Sequence, residues 1–81
     1  MRATVLVRPK TGILDPQGRA VQSSLRQLGF DVGDARVGRV IDLDVEATSE
    51  DAARAAVERM CERLLANSLV ESYEIELEGT R

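Results

Sequence analysis

Eighty-one residues make one domain, and a chain this short buries a smaller share of its surface than a longer one. Fourteen Asp and Glu against eleven Lys and Arg give a net charge of −3, which argues against a phosphate-neutralising nucleic-acid surface. With no histidine anywhere, Ser-His and Cys-His nucleophilic pairs and histidine metal sites are excluded.

Phe30 and Tyr73 are the only aromatic residues, so Val, Leu, Ile and Ala supply nearly all burial. A core so poor in bulk predicts self-association, as a homodimer or higher homo-oligomer. No apolar run approaches the ~20 residues that span a bilayer, so no membrane role is expected. One cysteine, Cys61, cannot form an internal disulfide, and Met1 opens no charged-then-apolar leader, so the expectation is a cytoplasmic chain.

Residues 2 to 8 alternate, with Ala3, Val5 and Val7 on one side and Arg2, Thr4, Leu6 and Arg8 on the other, which predicts a half-buried strand. Pro9 ends it. In the following loop Gly12 permits a turn, Asp15 suits a helix N-cap, and Pro16 suits the first helical position, where its missing N–H costs nothing. Ile13 and Leu14, two large apolar residues before the cap, leave two readings open: they fold under onto the sheet edge, or they stand out as a contact for another chain. Gly12 and Gly18 lack the spacing of a phosphate-cradling loop.

A helix is expected from Pro16 to about Leu28, with a narrow apolar stripe of Val21, Leu25 and Leu28, stopped by a left-handed Gly29. Within 30–37, a short strand over Ala35–Val37 would hairpin onto the next, or one long bent strand would run from 35 to 46. Val40 to Glu46 predicts a strand with Ile41, Leu43 and Val45 inward and Asp42, Asp44 and Glu46 outward. Thr48 and Ser49 are alternative caps for a second helix reaching about Ala66, with Asn67 as a left-handed stop. About Val70 to Glu78 alternates again, with Tyr73, Ile75 and Leu77 inward; Gly79 to Arg81 reads as a frayed tail.

The order β-α-β-β-α-β predicts an α+β, two-layer fold: a small antiparallel sheet of three or four strands in ferredoxin-like order 4-1-3-2, with two helices on one face. Charge supports the order, because Arg2 and Arg8 on the first strand's outer face would sit between two acidic rows. That outer face also shows Leu6 and Val40, where a partner could dock. The acidic rows read as a solvated face rather than an acid pair or metal site. Cys61, beside the apolar stripe, reads as an inert small hydrophobe.

Several segments together resemble the PurS family, the small subunit of phosphoribosylformylglycinamidine synthase. They are Gly12-Ile13-Leu14-Asp15-Pro16-Gln17-Gly18, Ala20-Val21, Leu28-Gly29-Phe30, Arg36-Val37-Gly38-Arg39, the run from Met60 to Asn67 and Glu71-Ser72-Tyr73-Glu74. Ser68-Leu69-Val70 departs from the pattern.

The resemblance implies a non-catalytic subunit of an ATP-dependent, glutamine-hydrolysing C–N ligase of purine biosynthesis. A PurQ-type glutaminase would release ammonia. A PurL-type synthetase, using ATP and Mg, would convert formylglycinamide ribonucleotide to formylglycinamidine ribonucleotide, and this chain would bridge the two while binding no cofactor itself. Lys10, Gly12, Ile13, Leu14, Asp15, Pro16, Gln17 and Gly18 are then expected to face the synthetase, and the outer sheet face with Leu6 and Val40 to build the homo-oligomer. The competing expectation is a stand-alone ferredoxin-like module that binds a small-molecule effector.

Overall fold

The computed structural model describes residues 1–78, so the expected tail at Gly79 to Arg81 lies outside the described residues. Three antiparallel strands, β1 (Arg2–Pro9), β2 (Arg39–Asp44) and β3 (Glu71–Glu78), form a sheet in the order β2-β1-β3. These are the first, third and fourth strands of the expected plan, and they keep its 4-1-3 order.

β1 takes the centre for the reason its charges suggested. Arg2 stands opposite Asp44 on one side and Glu78 on the other, and Arg8 Nη1 lies 3.5 Å from a Glu74 oxygen. On the inner face Ala3, Val5 and Val7 are fully covered.

The covering layer is α2 (Glu50–Met60), which buries Ala53 and Val57, together with Cys61, against those three residues. Ser49 rather than Thr48 caps it, its hydroxyl oxygen accepting from the Ala52 N–H at 3.1 Å, and Glu50 and Asp51 complement the positive end of the dipole. The helix does not stop at Met60 but widens into one π turn over Cys61–Leu65, closed by the Ala66 N–H donating to the Cys61 carbonyl at 3.1 Å. Asn67 is not a left-handed stop, since no described residue other than glycine has a positive φ. Its side-chain oxygen instead accepts from the Leu69 N–H at 3.2 Å, and its carbonyl takes the N–H groups of Val70 and Glu71. This turn holds the departing Ser68-Leu69-Val70 piece.

The expected second strand over Ala35–Val37 does not form, nor does a long bent strand from 35 to 46, because the donor such a strand would need is already taken. The Val37 N–H donates to Asp15 Oδ2 at 2.8 Å. Residues 30–37 instead run back along α1 (Pro16–Gln27): Arg26 Nε donates to the Val32 carbonyl at 2.9 Å, Gln22 Nε2 donates to the Gly33 carbonyl, and the Phe30 N–H donates to the Leu25 carbonyl at 3.0 Å. Gly29, at φ +98°, makes the reversal as its position suggested.

Helix and return segment therefore form an arm. Of the two expected helices, α2 supplies the core, whereas the only buried residue of α1 is Gly18. The molecule is accordingly long and flat, 50 × 28 × 14 Å, with a radius of gyration of 16.0 Å. A compact chain of this length would have a radius of about 12 Å.

Candidate docking site at the end of the sheet

Where β1 ends, the 10–15 loop must turn the chain into α1, and one carboxylate organises that passage. Asp15 caps α1 by accepting from the Gly18 N–H at 3.1 Å, and it also receives the Val37 N–H and stands 3.8 Å from Arg36 Nε. The Val37 hydrogen bond first, then that of Gly18, hold the Asp15 carboxyl below the usual carboxylate range, and the Arg36 charge adds to this. Arg36 in turn donates through Nη2 to the Lys10 carbonyl at 2.8 Å, while the Lys10 N–H reaches the Val70 carbonyl at 2.9 Å. Gly12, at φ +86°, lets the loop close.

With its backbone pinned in this way, the loop cannot tuck its apolar pair under the sheet. Leu14 is 66% exposed and Ile13 36%, so of the two readings the sequence left open, the outward one describes Leu14, with Ile13 on the rim. Lys10, Pro16 and Gln17 are exposed beside them. Gly18 is the exception within the expected set, buried against Ala35, so its part is to let α1 approach the return segment.

A second clamp faces the first. Arg39 Nη1 and Nη2 meet the two oxygens of Glu71 at 2.8 and 3.1 Å, and Nη2 also donates to the Leu65 carbonyl at 2.6 Å. Glu71 further accepts from the Asn67 N–H at 2.7 Å. Arg39 first, and that N–H second, hold its carboxyl below the usual range. The start of β2, the π turn and the start of β3 are thereby tied at one point.

A cleft of about 230 Å³ lies between the clamps, with Ile13 and Leu14 on its rim and Arg39 and Glu71 on its wall. A neighbouring cleft of about 320 Å³ is lined by Leu6 and Val40 with Arg8, Arg36 and Arg39. Pro9, Gly38 and Arg39 line both, so the two patches expected from sequence are parts of one surface at the end of the sheet. The sequence reading gave no role to Arg36, Arg39 or Glu71. The one signal that could have found the arginines was their position on either side of Val37-Gly38, a break in the strand pattern where a long donor can reach backbone carbonyls.

The Cys61 thiol is buried, and that burial, with Glu58 and Glu62 adding, pushes its pKa up, away from a nucleophilic thiolate. Among the described residues no group of three or more Cys, Asp and Glu is placed to hold a metal ion.

The two clamps make an acid test. For a carboxylate whose pKa is lower folded than unfolded, the stabilisation is complete above the ordinary value and is lost as pH falls through the folded one. With ordinary values of 3.8 for Asp15 and 4.5 for Glu71, the thermal midpoint is expected to hold level down to about pH 5 and to fall below pH 4. The double variant Asp15→Asn, Glu71→Gln should start lower at neutral pH and lose less on acidification. Parallel acid profiles for the two proteins would contradict the clamps.

A small α+β chain whose charged groups brace an exposed apolar loop presents a surface of the class used for docking. The comparisons give the class its family. A model of the family PurS, phosphoribosylformylglycinamidine (FGAM) synthase, matches residues 2–79. The chain is 46% identical over 77 residues to the PurS subunit of Synechocystis, covering 94% of this chain and 75% of that one. It is 40% identical over 78 residues to that of Methanocaldococcus jannaschii, covering 95% and 94%. The crystal structure of M. jannaschii PurS, described as one of the subunits of formylglycinamide ribonucleotide amidotransferase in the purine biosynthetic pathway, superimposes with a TM-score of 0.87 at 38% identity, covering 99% of this chain and 98% of that one. A chain in the structure of PurLQS from Thermotoga maritima does so with a TM-score of 0.85 at 34% identity, covering 93% of each. The chain belongs to the PurS family.

Proposed function

We propose that this chain is the small, non-catalytic subunit of a phosphoribosylformylglycinamidine synthase, joining a PurL-type synthetase to a PurQ-type glutaminase and supporting ammonia transfer between them. The synthetase carries the ATP and Mg chemistry, and this chain binds neither. The observation that carries the reading is the end surface. An apolar pair stands out on a loop pinned by two charged clamps, a rigid and adhesive feature without chemistry of its own, on a chain that matches nearly the whole length of a chain in the PurLQS structure.

Within this reading Lys10 to Gly18 face the synthetase, with Ile13 and Leu14 as the anchors. The outer sheet face around Leu6 and Val40 builds the homo-oligomer, with Arg2 and Arg8 of β1 set between the acidic rows of β2 and β3. No described helix is long and apolar enough to cross a membrane.

Mixing the chain with synthetase and glutaminase on a sizing column tests the reading. All three are expected to co-elute, and calorimetry of the isolated chain against amino acids and nucleotides is expected to show no heat of binding. Independent elution of the chain, with saturable binding of one of those ligands, would favour the effector-module reading.

A further inference from the structure

The cleft beside Leu6 and Val40 has a wall of cations. Arg8, Arg36 and Arg39 line its volume of about 320 Å³ and no carboxylate does, although the chain as a whole carries a net charge of −3. The acids that balance these arginines stand outside it. Asp15 lies 3.8 Å from Arg36 Nε, Glu71 meets both terminal nitrogens of Arg39, and Glu74 is 3.5 Å from Arg8 Nη1.

A guanidinium carries five N–H donors, so each of the three keeps some to spare. Among the described residues nothing accepts a hydrogen bond from Arg36 Nη1, from Arg39 Nε, or from Arg8 Nε and Nη2. Two of the three are also held still, Arg36 by the Lys10 carbonyl and Arg39 by that of Leu65. An anion arriving there meets donors that have already lost their side-chain entropy to the fold.

The acids behind the wall limit the charge that it can take. Since each arginine already has a carboxylate partner, the cleft offers donors without a large excess of positive charge, and Glu74 stands beside it opposite Leu6. A multiply charged phosphate would be under-neutralised there, whereas a single carboxylate, with two oxygens in one plane, matches what is left.

We propose that the cleft binds a carboxylate side chain, an Asp or Glu on a loop of the synthetase subunit, with Arg8, Arg36 and Arg39 sharing its oxygens. The inference rests on the docking reading above and assigns the charge of the partner's contact. Position identifies the carrier. Pro9, Gly38 and Arg39 line both this cleft and the one rimmed by Ile13 and Leu14, so a subunit anchored on that apolar pair has the arginines next to its anchor.

The test measures affinity of the full chain for purified synthetase between about 50 and about 500 mM sodium chloride. Arg8 is the clean probe: its side chain is 58% exposed and its one ion pair is long, so the variants should keep the circular dichroism and the sedimentation mass of the isolated parent chain. Arg8→Gln is expected to weaken binding about tenfold and Arg8→Glu about 100-fold, while Arg8→Lys, which keeps the charge, stays within about threefold; all three losses should shrink as salt rises. Arg54→Glu, exposed on α2 and not bordering the cleft, makes the same change in net charge as Arg8→Glu and should bind within about twofold of the parent. Parent-like affinity in Arg8→Gln and Arg8→Glu would overturn the carboxylate site and leave the docking reading standing, whereas a parent chain that does not bind synthetase would remove that reading and this inference with it. A changed mass of the isolated Arg8→Glu chain would place Arg8 between copies, and a loss no greater than that of Arg54→Glu would reduce Arg8 to overall charge; either result also overturns the site.

Discussion

Gly18→Ala is expected to lower the thermal midpoint by about 10 °C, although helix propensity taken alone would make alanine the better residue by about 1 kcal/mol. Gly18 is in the first turn of α1, directly against the return segment. A Cβ there would fall on the Ala35 carbonyl oxygen, 2.9 Å from the Ala35 carbonyl carbon and 2.7 Å from Asp15 Oδ2. Two of those three atoms are backbone, and the third belongs to a carboxylate already fixed by the Val37 and Gly18 N–H groups, so none can move aside cheaply. Forcing extra volume into such a place costs about 1–3 kcal/mol, more where backbone must shift, which outweighs the propensity gain. Calorimetric melting of the two proteins decides the sign, and a midpoint raised by the alanine would show that α1 does not press on residue 35.

The second large effect concerns assembly rather than folding. Ile13→Ser with Leu14→Ser removes two apolar side chains that the single chain leaves 36% and 66% exposed, so stability should fall by about 1–2 kcal/mol at the better-covered Ile13 and by less at Leu14, leaving the chain folded. If these residues anchor the synthetase contact, losing both costs about 3 kcal/mol of binding, or about 100-fold in affinity. On a sizing column with the synthetase, the variant should elute free at concentrations where the parent chain is bound. Equal co-elution would remove the 10–18 loop from the interface.

Much of this architecture is readable from residue order. Strict alternation in β1, β2 and β3 gives each strand and its inner face, Asp15-Pro16 marks the start of α1, and Gly29 marks its end. The acids of β2 and β3 predict a basic central strand because the alternative places like charges side by side.

What sequence could not show is where donors and apolar stripes find their partners. Ala35–Val37 looks like a short strand because nothing local reveals that a carboxylate twenty-two residues earlier takes the Val37 N–H. Val21, Leu25 and Leu28 have core spacing, yet Val21 and Leu28 stand 42% and 73% exposed, because periodicity marks which side of a helix is apolar and not what lies against it. Arg36 and Arg39 resemble ordinary surface charge, and their value lies in which carbonyls and carboxylates the folded loop brings within reach. The loop itself was the most legible part of the site, since an apolar pair ahead of a helix cap is unusual for an exposed turn.

The central claim, that this chain contributes contact surface and leaves catalysis to its companions, is tested most directly by reconstituting amidation from purified synthetase and glutaminase with and without it. The account predicts that glutamine-dependent formation of formylglycinamidine ribonucleotide needs this chain, that amidation from added ammonia by the synthetase does not, and that the chain alone turns over nothing. Glutamine-dependent turnover at full rate in its absence, or turnover by the isolated chain, would contradict it.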